Sequence, residues 1–151
     1  MIEKIKELIK EIENNDNSEE KIEEIYDNVN DIIDYFNEVV KMEMYVFKLK
    51  DNFSSSVEYK LKQMDENRRF AHDLCINAMI NINTYSQQYK LEPVFAIDTN
   101  DRYKVAECVG DFIQEIYKTG ITKHKNFDEV VLDFSSNNYI VDNISDDFFE
   151  R

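Results

Sequence analysis

Residues 22–49 read IEEIYDNVNDIIDYFNEVVKMEMYVFKL, and the spacing of the apolar letters decides the fold. Ile22, Val29 and Phe36 form one row at seven-residue intervals, and Ile25, Ile32, Val39 and Val46 form the next. Tyr26, Ile33, Val40 and Phe47 widen the stripe, so one side is apolar from Ile22 to about Leu49. Such recurrence is the signature of an amphipathic helix. At about 1.5 Å per residue the rod approaches 40 Å. Lys50-Asp51-Asn52 ends it.

A second rod follows. Ser55 and Glu58 have the spacing of a capping box and announce its start. Val57, Met64, Ala71, Ala78 and Tyr85 make one row, and Leu61, Arg68, Cys75, Ile82 and Tyr89 the neighbouring one, with Leu74 and Met79 broadening the face. The pattern runs to about Leu91, and Pro93 stops it. A connection of a few residues between two long helices implies an antiparallel hairpin.

Shorter helices flank the hairpin. Ile2, Ile5, Leu8, Ile9 and Ile12 define an amphipathic helix at the start, and Asn14 to Ser18 carry turn and N-cap residues before Glu19 and Glu20 open the long helix. Glu92 to Thr99 read as a loop with Val94, Phe95 and Ile97 tucked against the bundle. Asp98 or Thr99 is expected to cap a fourth helix with the stripe Val105, Ala106, Val109, Phe112, Ile113, Ile116 and Tyr117, closed by Gly120. The expected architecture is therefore all-α: a four-helix-type bundle built on a long antiparallel hairpin over residues 1–120. Residues 121–151 form an acidic C-terminal extension. There Val130 to Phe134 and Tyr139 to Val141 flank Ser-Ser-Asn-Asn, which reads as a small β-hairpin or a partly ordered tail. The two long stripes need more cover than the short helices supply, so a homodimer is expected.

Composition narrows the function classes. A length of 151 residues fits one domain, and 42% hydrophobic with 13% aromatic residues is a folding composition. Two glycines and one proline are too few for a β-sandwich, a barrel or a glycine-cradled nucleotide site. No apolar run matches a membrane span, and Met1 to Glu7 alternate charge where a signal peptide would be apolar, so a cytoplasmic protein without membrane contact is expected. Cys75 and Cys108 would stay reduced there.

The net charge is −14 and unevenly spread. Residues 1–50 hold 14 acids and 7 bases, and residues 127–151 hold 7 acids and one base, whereas residues 51–126 are nearly balanced. Affinity for phosphates comes from clustered Lys and Arg, so direct nucleic-acid binding is not expected. Acidic ends suit a basic protein partner, or simply solubility.

Two charges break the apolar rows. Arg68 stands on the seam of the second rod and Glu43 on that of the first. A seam charge is costly to bury unless paired. His72 lies one turn beyond Arg68 on the same face, Asp65 one turn before it, and Asp73 about 100° away. Folding the hairpin brings Arg68 opposite roughly Phe36, so Asp34, Asn37 or Glu38 is the expected partner of Arg68 or Arg69, and the pair would lock register.

The run Asp65-Glu66-Asn67-Arg68-Arg69-Phe70-Ala71-His72-Asp73 resembles the signature of a family of small all-helical bacterial proteins, found mainly in Firmicutes and catalogued as a domain of unknown function. Glu38 to Glu43, Tyr89 to Phe95 and Asp101-Arg102 are similar to that family too. The resemblance covers roughly Ile22 to Gly120. It implies a helical bundle, supplies no activity, and marks Glu43, Arg68, Arg69, His72, Asp73 and Arg102, beside Asp65, as the polar cluster to follow.

The leading expectation is a non-enzymatic protein–protein interaction module in which this cluster is structural. One alternative is a phosphodiester-cleaving enzyme. Helical ribonucleases of the HEPN type place an Arg and a His on one helix, set slightly further apart than the three residues between Arg68 and His72. There Arg68 would steady a phosphate while His72 moves a proton. Another alternative is a nucleic-acid mimic that inhibits a basic host or defence protein. An HD-type metal phosphohydrolase would need a His upstream of His72, and none precedes it. His72, Cys75, Cys108 and His124 are zinc-ligand types without a paired motif, so neither metal nor cofactor is expected.

Overall fold

A computed structural model describes residues 1–49 and 54–119. These form four helices and no strand: α1 (Ile2–Asn15), α2 (Glu19–Leu49), α3 (Ser55–Gln88) and α4 (Arg102–Thr119). Residues 50–53, Gly120 and the 121–151 extension with its expected hairpin or tail lie outside the described residues, as does the side chain of Tyr117. The all-helical bundle on a long α2–α3 hairpin matches the reading from periodicity.

α1 is amphipathic in the simplest way. Ile2, Ile5, Leu8, Ile9 and Ile12 are all buried, and each such side chain contributes about 2 kcal/mol on leaving water. Asp16 ends the helix, and Asn17 at φ 47° reverses the chain, a backbone position that Asn tolerates better than most residues. Ser18 then accepts from the Lys21 N–H at 3.3 Å to open α2.

Three boundaries differ from the sequence reading. Ser54, rather than Ser55, caps α3, accepting from the Val57 N–H at 3.4 Å. The capping-box spacing was one residue out of phase, since neighbouring serines offer equivalent oxygens. α3 ends at Gln88 instead of Leu91, well before Pro93. The Leu91 N–H reaches the Ser86 carbonyl at 2.8 Å and the Lys90 N–H the Gln87 carbonyl at 3.0 Å, a Schellman closure with Lys90 left-handed at φ 58°. Asp101, rather than Asp98 or Thr99, caps α4, accepting from the Tyr103 and Lys104 N–H groups. Asp98 instead organises the turn before it, accepting from the Asn100 N–H at 2.9 Å.

The core lies at one end of the hairpin. Buried apolar residues of α2 run from Ile25 to Val40, and those of α3 from Ala71 to Ile82. α1, about 21 Å long, and α4, about 27 Å, cover that half, with Val94 and Phe95 closing it and Phe112 meeting Phe95 edge-on at 5.6 Å. α2 and α3 are about 46 and 51 Å long and outrun this cover. Residues 41–49 and 55–70 therefore form a two-helix arm in which none of the described side chains is buried.

Candidate functional site

The polar cluster sits where the arm joins the core. Arg68 and His72 are one turn apart on α3, opposite Tyr35 of α2 and near the start of α4 at Arg102. The Arg68 guanidinium donates to Asp65 Oδ1 at 2.8 Å through Nη2 and at 3.3 Å through Nε. Arg69 Nε takes the other oxygen of the same carboxylate at 2.9 Å. This corrects the expected cross-hairpin pair: both arginines bind Asp65 on their own helix, in preference to Asp34, Asn37 or Glu38. A partner three or four residues back lies on the same face and needs no exact interhelix register.

The two arginines differ in setting. Arg68 is 15% exposed and Arg69 is mostly in solvent. The hydrogen bond from Arg68 holds the Asp65 carboxyl below its ordinary value, with the charges of Arg68, Arg69 and Arg102 acting in the same direction. Tyr35 is buried, and desolvation raises its hydroxyl while the charges of Arg68 and Arg102 pull against that rise. One charged side chain thus bears on both long helices.

His72 is 20% exposed and packs edge-on against the Tyr35 ring, centroids 5.2 Å apart. Its Nδ1 lies 3.7 Å from Asp73 Oδ1, so Asp73 reaches it although their Cβ directions diverge. Nε2 is buried with no hydrogen-bond partner. Burial lowers the imidazole pKa, Arg102 and Arg68 lower it further, and exposed Asp73 opposes them. The ring is therefore held toward its neutral form. Arg102 itself is exposed at the first position of α4. Glu43 stands half-buried in the arm, seven residues beyond Phe36 on α2, apart from the Tyr35–His72 contact.

Both cysteines are buried thiols. Burial pushes Cys75 far up and Cys108 up to about 11, which removes thiolate character. Their sulfurs lie against Met79 and Met1 at 3.9 and 3.5 Å. Among the described residues, no group of three or more His, Cys, Asp or Glu is arranged to hold a metal ion.

Several anchoring residues carry no signal in apolar periodicity. Asn83 donates to the Phe95 carbonyl and accepts from the Phe95 N–H, each at 2.9 Å, which pins the loop before α4. Tyr85 donates to Glu24 of α2, and Tyr89 donates to Asp16 at the α1–α2 turn, where Lys21 joins both at 3.1–3.2 Å. Asn28 is buried on the same flank of α2 as Tyr35, and its Nδ2 has no hydrogen-bond partner. The tyrosines counted as apolar in the heptad rows; their hydroxyls, at the rim, could be read only with the fold in hand.

The outer face of α2 carries Asp27, Asp31, Asp34 and Glu38 in one line, diametrically opposite its core stripe. Desolvation raises the carboxyls of Asp31 and Asp34, and neighbouring acids add to the rise. Among the described residues no helix is long and apolar enough to cross a membrane.

No protein-family model matches the chain, and no curated protein or solved structure is detectably similar to it.

Proposed function

We propose that the chain is a non-enzymatic protein–protein interaction module of the cytoplasm, self-associating and open to a basic partner through its acidic faces. One observation carries this reading. Ile33, Val40 and Phe47 lie on one stripe of α2, at 6%, 8% and 75% exposure. The face built to be covered continues past the end of its cover.

The polar cluster supports the same reading. Catalysis of phosphodiester cleavage needs an Arg free to meet a phosphate and a His able to exchange protons. Here Arg68 is committed to Asp65, and His72 is wedged against Tyr35 with its pKa depressed. These features suit side chains that hold the arm at a fixed angle to the core. The likeness of residues 65–73 to the small helical bacterial family belongs to this proposal and adds no activity to it.

The test is direct. Purified protein incubated with single-stranded and structured RNA across acid to alkaline pH, with and without divalent cations, should leave the RNA intact. Cleavage that disappears in His72→Ala, with the helical circular dichroism unchanged, would establish the enzyme reading instead.

A further inference from the structure

We infer that His72 is an acid-operated clasp: protonating its ring opens the neck where the arm joins the core, and the α2–α3 seam parts from the arm tip back to Tyr35. The inference rests on the reading above, in which this cluster braces the arm, and adds what releases the brace.

Position is the first support. The buried residues of α2 end at Val40 and those of α3 begin at Ala71. His72 stands in that first covered turn of α3 and meets Tyr35 of α2 edge-on, centroids 5.2 Å apart. Over residues 41–49 and 55–70 none of the described side chains is buried. Segments that bury so little open locally at a lower cost than global unfolding. The closed neck hides Val39, Val40 and Ala71, and an opening that reaches the ring bares them.

The proton site is the second. Nε2 is buried with no hydrogen-bond partner, and Nδ1 faces exposed Asp73 at 3.7 Å. An imidazolium donates through both nitrogens, so in the closed neck its Nε2–H would be charged and buried without an acceptor. The groups around the ring are Arg68 and Asp73 from α3, Arg102 from α4 and the phenol of Tyr35 from α2. Burial and the two arginines resist the proton, and Asp73 alone favours it. Opening returns the ring to water and to its ordinary 6.5. Below that value the open neck takes up a proton that the closed neck refuses, and opening gains at most about tenfold per pH unit.

Amide exchange of the full chain at about pH 7.5 and about pH 5.5, corrected for intrinsic rates, decides the matter. Protection at Val39, Val40, Phe70 and Ala71 should fall at least about threefold at the lower pH. It should stay at least about tenfold below that of Ile9, Ile82 and Val109 in the sealed half. His72→Gln should abolish the pH dependence at the neck. Neck protection that ignores pH overturns the inference, as does a pH dependence that survives in His72→Gln. So do neck and sealed-half amides at one common level, since the ring would then be reached by global unfolding. The ring of the unaltered chain gives a separate reading: its Cε1 proton, assigned against His124→Gln, should titrate below 6.5, and a midpoint at or above 6.5 overturns the inference too. The RNA assay is blind to each of these outcomes, so the clasp and the non-enzymatic reading fail separately.

Discussion

The side-chain amide of Asn83 and the backbone of Phe95 form a closed two-bond pair, 2.9 Å in each direction. Through it α3 holds the loop that places Phe95 under Phe112 and sets the entry of α4. Asn83→Ala would strand a part-buried N–H and C=O together. The expected loss is about 2 kcal/mol in urea denaturation, with faster amide exchange at Phe95. Exposed Asn81→Ala on the same helix should stay within about 0.5 kcal/mol.

Arg68→Ala should cost about 1 kcal/mol, less than a fully buried cross-helix pair would, because Asp65 keeps Arg69 and some solvent. The acid limb of the stability curve should change with it. Asp65 has a native pKa below its ordinary 3.8, so its stabilisation is present above that value and fades as pH falls through the native one. Carbon-detected titration should show the Asp65 carboxyl moving upward in Arg68→Ala. An unmoved carboxyl would mean that Arg68 is not its dominant partner.

His72 makes stability depend on pH in the same sense for a different reason. Its native pKa lies below the ordinary 6.5, so below 6.5 the unfolded chain takes up a proton that the native chain refuses. Stability should therefore drop as pH falls from 6.5 through the native pKa. Asp73 raises the native value and limits the drop, while Arg102 and Arg68 enlarge it. His72→Gln should flatten this segment of the curve, measured as the urea midpoint against pH; an identical slope in both proteins would contradict the burial of the ring.

Lys90 closes α3 in the left-handed region at φ 58°. A Cβ there costs roughly 1–2 kcal/mol, and glycine gives back about 0.5–1 through its unfolded-state entropy. Lys90→Gly should thus raise stability by about 0.5–1 kcal/mol, whereas Lys90→Ala should not. Thermal melts followed by circular dichroism check both, the chain having no tryptophan for fluorescence.

The helices were legible in the sequence because burial imposes a period on apolar residues, and Ile25 to Val40 obey it without interruption. Ends were less legible, because capping depends on which of several adjacent oxygens meets a free N–H: Ser54 against Ser55, Asp101 against Asp98. The seam charges were found, since Arg68 breaks a row, but its partner was not. Sequence spacing offers Asp65 and Asp34 alike, and only the fold shows that the nearer, intrahelical carboxylate wins. Asn83 and the tyrosine hydroxyls of Tyr85 and Tyr89 had no pattern to betray them, because each acts through one specific hydrogen bond.

That the long pair outruns the short pair also uncouples reach from folding. Apart from Met44, which packs against it, the sealed half is built from described residues that lie before Lys41 or after Phe70, so α2 and α3 could be lengthened together by two-turn blocks with only a slight rotation of what lies beyond. A lineage could in this way retune the span of its projecting spoke while leaving the hub untouched.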